Sequence, residues 1–182
     1  MNSISANLNI MIKASEKASK ILIRDFGEIE KLQVSRKGPT DFVTNADLKA
    51  EKIIIEELKK AKPNYSIVGE ESGVENNKDK DNTWIIDPID GTVNFLHGIP
   101  HFAISIALKS KEEIISGIIF DPIKMKCFML KKIMGLTLIT KGYGSLKKMK
   151  LMIVYLLLVV KLKMNQISRL GNLVVLRLIW LM

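Results

Sequence analysis

Apolar residues recur at Ile4, Leu8, Met11, Ile12, Ala18, Leu22 and Phe26, with the small residues Ser15 and Ser19 among them. Spacings of three and four predict a helix over 4–26 with one apolar face, and Gly27 offers a C-terminal stop. Glu28 to Val34 reads as a strand, and Lys37-Gly38-Pro39 breaks the pattern. A second helix follows. Thr44 suits its N-cap, Asp47 stands three residues on, and Ile54 and Leu58 continue an apolar face, which places Asp47 in the first turn. Pro63-Asn64 ends this helix. Tyr65 to Val68 predicts a short strand running into Gly69-Glu70-Glu71-Ser72-Gly73, and the polar text of residues 74–82 predicts a loop.

Three apolar residues in a row, Trp84 to Ile86, predict a short buried strand. Pro88 cannot donate to a ladder, so the strand is expected to stop near Asp87. Gly91 permits a sharp bend, and Thr92 can cap the helix that follows. Val93 to Gly98 reads as one helical turn and a stop. His101 to Leu108 then alternates as a strand, Glu112-Glu113 marks a turn, and Ile114 to Phe120 returns, which predicts an antiparallel hairpin. Asp121-Pro122 reads as a turn.

A chain of 182 residues suits one domain with a real core. Its net charge of +9 hides an uneven distribution. Residues 1–121 hold all 19 acids and 16 Lys/Arg, whereas 122–182 hold 12 Lys/Arg and no acid. The basic half is thus a separate matter from the acidic motifs. A single cysteine, Cys127, excludes an internal disulfide and fits a reducing cytosol. The N-terminal text lacks the charged start and apolar run of a secretion signal. Leu151 to Val160 is far shorter than the ~20 residues that span a bilayer. The expectation is a soluble, cytoplasmic protein with no membrane association.

The chemistry concentrates where acids follow apolar strands. Asp87 and Asp90 stand on the exit of the central strand and repel one another. Such a pair persists where a cation sits between them or where one carboxylate stays protonated. Glu70 leaves the neighbouring predicted strand in the same way, whereas Glu71 reads as a solvated loop acid. Glu70, Asp87 and Asp90 are hard oxygen ligands with no His/Cys set beside them, which suits Mg²⁺ or Mn²⁺ rather than zinc. His97 and His101 are four apart, but Gly98 and Pro100 between them argue against a shared helix face. Backbone N–H groups of Gly91 and Thr92 would point at a phosphate. The Thr92 hydroxyl could hold an attacking water and Asp47, if it folds nearby, could take its proton. Taken alone, Asp47 reads instead as a carboxylate that stabilises a helix dipole. Together these residues point to metal-assisted hydrolysis of a phosphate ester.

DFVTNAD at 41–47, GEES at 69–72 and WIIDPIDGT at 84–92 resemble the inositol monophosphatase family of Mg²⁺-dependent, Li⁺-sensitive phosphatases, from about residue 5 to about 124. The resemblance implies a layered α/β/α/β/α sandwich of which this chain carries the N-terminal α+β half. It implies that Glu70, Asp87, the Ile89 carbonyl and Asp90 bind Mg²⁺. It also implies that Glu70, Ile89, Asp90, Gly91 and Thr92 line the substrate, and that Thr92 and Asp47 activate water. The implied substrate is a phosphate monoester, foremost an inositol monophosphate. Relatives often form homodimers, and some bacterial members are implicated in RNA-polymerase-associated regulation.

From Met125 the text changes. Seven of nine Met fall there, and Leu, Lys, Ile and Val dominate without a clean period. The family's Trp-Asp-x-Ala-Ala-Gly-type stretch, whose Asp completes a second metal position, does not occur. Three readings compete for 125–182: a basic tail for nucleic acid or membrane, an ordinary core segment, and out-of-frame text ending at an early stop. Only the third accounts for the junction, the missing motif and the composition together. The expectation is an N-terminal half-domain at 1–124 with an aberrant tail, poorly soluble and with little or no phosphatase activity, so a binding or regulatory role or a non-functional fragment are the alternatives.

Overall fold

The computed structural model of the chain describes residues 4–32, 39–111, 113–132 and 136–141. The chain divides into units Met1–Tyr143 and Gly144–Met182, and every described residue belongs to the first. Val34 and residues 142–182, on which parts of the strand and tail readings fall, lie outside the described residues.

Helix α1 spans Ala6–Leu32 and buries Leu8, Met11, Ala18, Leu22 and Ile29 along one stripe. It does not stop at Gly27, and Glu28–Leu32 is helix rather than strand. A glycine inside a helix costs about 1 kcal/mol. Ile29, 2 % exposed, offsets that, because burying such a side chain contributes roughly 1.5–3 kcal/mol.

Helix α2 spans Pro39–Ala61, so Thr44 is not its N-cap and Asp47 lies in the third turn, not the first. Pro39 explains the earlier start: it has no N–H to leave orphaned, and its fixed φ suits the opening helical position. A buried stripe of Ala46, Ala50, Ile54 and Leu58 turns toward the core. The two helices are tied by Lys17, whose Nζ lies 2.7 Å from Glu57 Oε1, with Lys60 at the same distance. Hydrogen bonds from Lys17 and then Lys60 pull the Glu57 carboxyl down to about 2 from an ordinary 4.5. A depressed carboxylate stabilises the fold above its unfolded pKa and loses that contribution as pH falls through the folded one. Acid titrations of wild type and Glu57→Gln are therefore expected to differ in slope between pH 4.5 and 2, with wild type the steeper.

The sheet has seven strands in the order β2-β1-β3-β4-β5-β6-β7. They are β1 Tyr65–Gly69, β2 Gly73–Glu75, β3 Asp79–Asp90, β4 Ala103–Ser110, β5 Glu113–Asp121, β6 Lys126–Lys132 and β7 Leu136–Lys141. Only β1 and β3 run parallel; every other neighbouring pair is antiparallel. The β4–β5 pair is the predicted hairpin. Residues 74–82 are not one loop, since they supply the end of β2 and the start of β3.

Trp84, Ile86, Ile104, Ile106, Ile118 and Phe120 join the helix stripes in one core. Alternating with them, Ile85, Ala107, Ile119 and Leu130 are also buried, so the central strands are apolar on both faces. The helix layer and this mixed sheet account for two layers of the expected sandwich. The sheet does not end at the change of text near 125: β6 pairs with β5 along its length, and Cys127 and Met129 enter the core. Burial pushes the Cys127 thiol up to about 12. Since the thiolate is the nucleophile, alkylation of native protein near pH 7.5 is expected to leave Cys127 unmodified, and unfolding in urea to expose it. Mass spectrometry of both states checks this.

Candidate functional site

Gly69 of β1 pairs with Ile86 of β3, and the Glu70 N–H donates to the Ile86 carbonyl at 3.2 Å. Glu70 and Asp87 are therefore the residues that follow one ladder pair of two parallel chains, which on a regular sheet run about 4.8 Å apart. The strand β3 does not stop at Asp87 as Pro88 suggested; it continues to Asp90. Asp87 pairs with Ser105 and Asp90 with Ala103, so the ladder slips by one residue at Pro88. A bulge leaves one residue unpaired, which is where a strand tolerates proline.

The bulge decides which way the acids face. Residues three apart on a regular strand lie on opposite faces. Here the extra residue returns Ile89 to the core beside Trp84 and Ile86. Asp90 thereby comes back to the face that carries Asp87. Gly69 faces α2, because a Cβ added there would meet the Glu51 carboxylate of α2. Glu70 is the first residue of the turn that follows β1. Asp87 is 5 % exposed, Asp90 is half-buried and Glu70 is exposed.

Past the strand, Gly91 takes the left-handed region at φ 99°, ψ 33°, and helix α3 runs over Thr92–Leu96. A Cβ at Gly91 would meet the His101 carbonyl at 3.1 Å, in a backbone region that already favours glycine. Thr92 is the first helical residue rather than a cap, and Gly91 provides no side-chain cap. First-turn amides of α3 are thus left to solvent or a ligand. The Thr92 hydroxyl donates to the Ile89 carbonyl at 2.9 Å. With its proton so directed, its lone pairs remain to accept from a water, and the Ile89 carbonyl keeps a second lone pair for another partner. Beneath this turn Phe26, Phe95 and Phe102 form a triangle with ring centroids 4.8–5.5 Å apart. Those contacts pin α3 to α1 and to the entry of β4.

Asp47 is buried at 5 % exposure on α2, one helical turn before Glu51. Glu51 was not singled out by the sequence reading. It is 2 % exposed, and its carboxylate accepts from the Glu71 N–H at 3.0 Å and the Ser72 N–H at 2.8 Å. Asp47 thus precedes by one turn the residue that holds the Glu71 and Ser72 amides. The signal that could have found Glu51 is two acids four apart within the stripe of Ala46, Ala50 and Ile54.

Glu70, Asp87, Asp90 and the Ile89 carbonyl are all oxygen donors, the chemistry that suits a hard divalent cation. Among the described residues no three Asp, Glu, His or Cys side chains converge closely enough to enclose a cation. Glu71, His97 and His101 are exposed. No helix of the described residues is long and apolar enough to cross a membrane.

The sequence pattern of the inositol monophosphatase family matches residues 5–154. The match thus crosses the change of text at 125. The chain is 57 % identical over 118 residues to "Inositol-1-monophosphatase" of Rhizobium meliloti, covering 65 % of this chain and 44 % of the relative. It is 38 % identical over 136 residues to "Nus factor SuhB" of Escherichia coli, covering 75 % of this chain and 50 % of that protein. The crystal structure of extragenic suppressor protein suhB from Bartonella henselae superposes with a TM-score of 0.64 at 48 % identity, over 74 % of this chain and 52 % of that one. The chain spans about half the length of the curated relatives it matches. The family pattern covers most of the chain, and the paired strands that carry the acids superpose on a solved relative: this protein belongs to the inositol monophosphatase family.

Proposed function

We propose that the fold serves Mg²⁺-dependent hydrolysis of a phosphate monoester, with an inositol monophosphate as the foremost substrate. What supports this reading is the run of acids after the paired strands: the register of β3 on β4 sets Asp87 and Asp90 on one face, and Glu70 follows the Gly69–Ile86 pair. Bound divalent cations would supply Lewis acidity toward a phosphate oxygen and a lower pKa for water. The three carboxylates and the Ile89 carbonyl would hold them. Thr92, its hydroxyl directed to the Ile89 carbonyl, would orient the attacking water by accepting one of its protons. Asp47, buried on α2, would receive the proton. The amides of Gly91 and Thr92 would bind the phosphate oxygens.

Steady phosphate release from inositol 1-phosphate with and without Mg²⁺ tests how much of this chemistry the 182-residue chain performs. Little or no release is expected, because the stretch that would complete a second metal position does not occur in the sequence. Robust Mg²⁺-dependent turnover would refute that expectation. The out-of-frame reading of the C-terminal text rests on the junction, the missing motif and the composition, while β6 and β7 continue the sheet and the family pattern matches to 154. Sequencing the coding DNA downstream decides it, since a frame restored by one base would read out a Trp-Asp-x-Ala-Ala-Gly-like stretch.

A second reading is favoured by the relatives named Nus factor SuhB. In it, the chain associates with RNA polymerase and keeps the fold without the chemistry. Retention on RNA polymerase that is unchanged by Asp87→Asn would support it; loss of both binding and turnover in that variant would not.

A further inference from the structure

We infer that Glu51 is a positioning residue for this site: its buried carboxylate clamps the turn that presents Glu70. The inference rests on the reading of Glu70 as a metal ligand. Three consecutive backbone amides at the turn are fixed from two directions. The Glu70 N–H is held by the Ile86 carbonyl of β3, and the Glu71 and Ser72 N–H groups by the two oxygens of Glu51. A carboxylate that accepts two amide protons is a charge-assisted clamp, stronger than a neutral acceptor. Space for it exists only because residue 69 is glycine. A Cβ there would lie 2.6 Å from Glu51 Oε1, 2.7 Å from its Cδ and 2.5 Å from Ser72 Oγ. The Glu51 side chain is almost wholly buried within helix α2, so it cannot swing aside without losing its place in the core. Gly69 and Glu51 are thus one device: the glycine admits the carboxylate, and the carboxylate fixes the φ/ψ of the residues that flank Glu70. Loss of the clamp frees the turn, and the ligand must then be ordered at the moment of binding, which weakens affinity.

The test uses the full chain and Mn²⁺ binding followed by electron paramagnetic resonance, with amide hydrogen exchange as a second readout. Glu51→Ala is expected to weaken Mn²⁺ about 10-fold, the low end of the effect of removing a supporting partner. Glu51→Gln, which keeps one acceptor oxygen, is expected to fall between wild type and alanine. Gly69→Ala, which expels the carboxylate from the opposite side, is expected to match Glu51→Ala. In each variant the Glu71 and Ser72 amides exchange faster while those of Ile85 and Ile106 stay protected. In a Glu70→Gln background, Glu51→Ala is expected to add no further loss, since the clamp acts through Glu70. An equal loss in both backgrounds, or unchanged affinity in Glu51→Ala, overturns the proposal. Unchanged affinity in Glu70→Gln alone overturns it by a different route, through the ligand reading itself. Should Glu51→Ala not fold, Glu51→Gln and Gly69→Ala give the same comparison.

Discussion

Asp87→Asn is expected to remove divalent-cation binding while leaving the fold in place. The substitution keeps the shape of the side chain and removes its charge. Asp87 is the most buried of the three acids, at 5 % exposure, and follows Ile86, the ladder partner of Gly69. Loss of an outer partner of a ligand typically costs about 10- to 100-fold in metal affinity. Loss of the central ligand should therefore exceed about 100-fold. Mn²⁺ titration of wild type, Asp87→Asn and Glu71→Gln separates a site from general acidity, because Glu71 is an exposed loop acid in the same neighbourhood. Equal weakening by the two variants would sink the assignment. Unfolding curves of Asp87→Asn and wild type in urea are expected to have the same slope, which shows that any loss of binding is local.

Trp84→Ala is the second large effect and acts on stability. Trp84 is fully buried, sits on β3 between the β1 and β4 neighbours Ile67 and Leu108, and packs against Tyr65 with ring centroids 5.8 Å apart. Truncating such a residue costs about 3–5 kcal/mol through lost transfer and the cavity left behind. Total stability of a domain is commonly about 5–15 kcal/mol, so most of the native population is at risk. Loss of the cooperative urea transition, or a midpoint shifted by a third or more, is the expected measurement. Trp84→Phe should cost far less. Its smaller ring leaves a cavity, but the Trp84 Nε1 finds no hydrogen-bond acceptor among the described residues. Removing a buried donor of that kind recovers part of an unsatisfied-group penalty of about 1–3 kcal/mol. If phenylalanine proved as damaging as alanine, the account of Trp84 as a packing residue with an idle polar end would be wrong.

Local features were legible where one residue type forces one geometry. Pro63-Asn64 ended α2, alternation from His101 onward announced the β4–β5 hairpin, and Gly91 marked a bend that does take positive φ. Boundaries failed where another residue outweighs the local signal. Gly27 looked like a stop, yet Ile29 carries the helix through it, and Thr44 looked like a cap, yet Pro39 opens the helix earlier. Pro88 looked like the end of a strand, and it lies within the bulge between Asp87 and Asp90.

The amino-acid order alone determined which groups are present: an oxygen-only set of acids after apolar strands, a Gly-Thr step beside them, and a single cysteine. Periodicity also fixed the helices' buried faces, because spacing in a chain translates directly into direction around a helix or strand. Which acids share a face was decided only in three dimensions. For Asp87 and Asp90 that outcome depends on one extra residue between them in the pairing of β3 with β4, and a register is a choice between chains distant in sequence. Glu51 shows the same limit: it lies about twenty residues from the turn it holds, and only folding puts its carboxylate against the amides of Glu71 and Ser72.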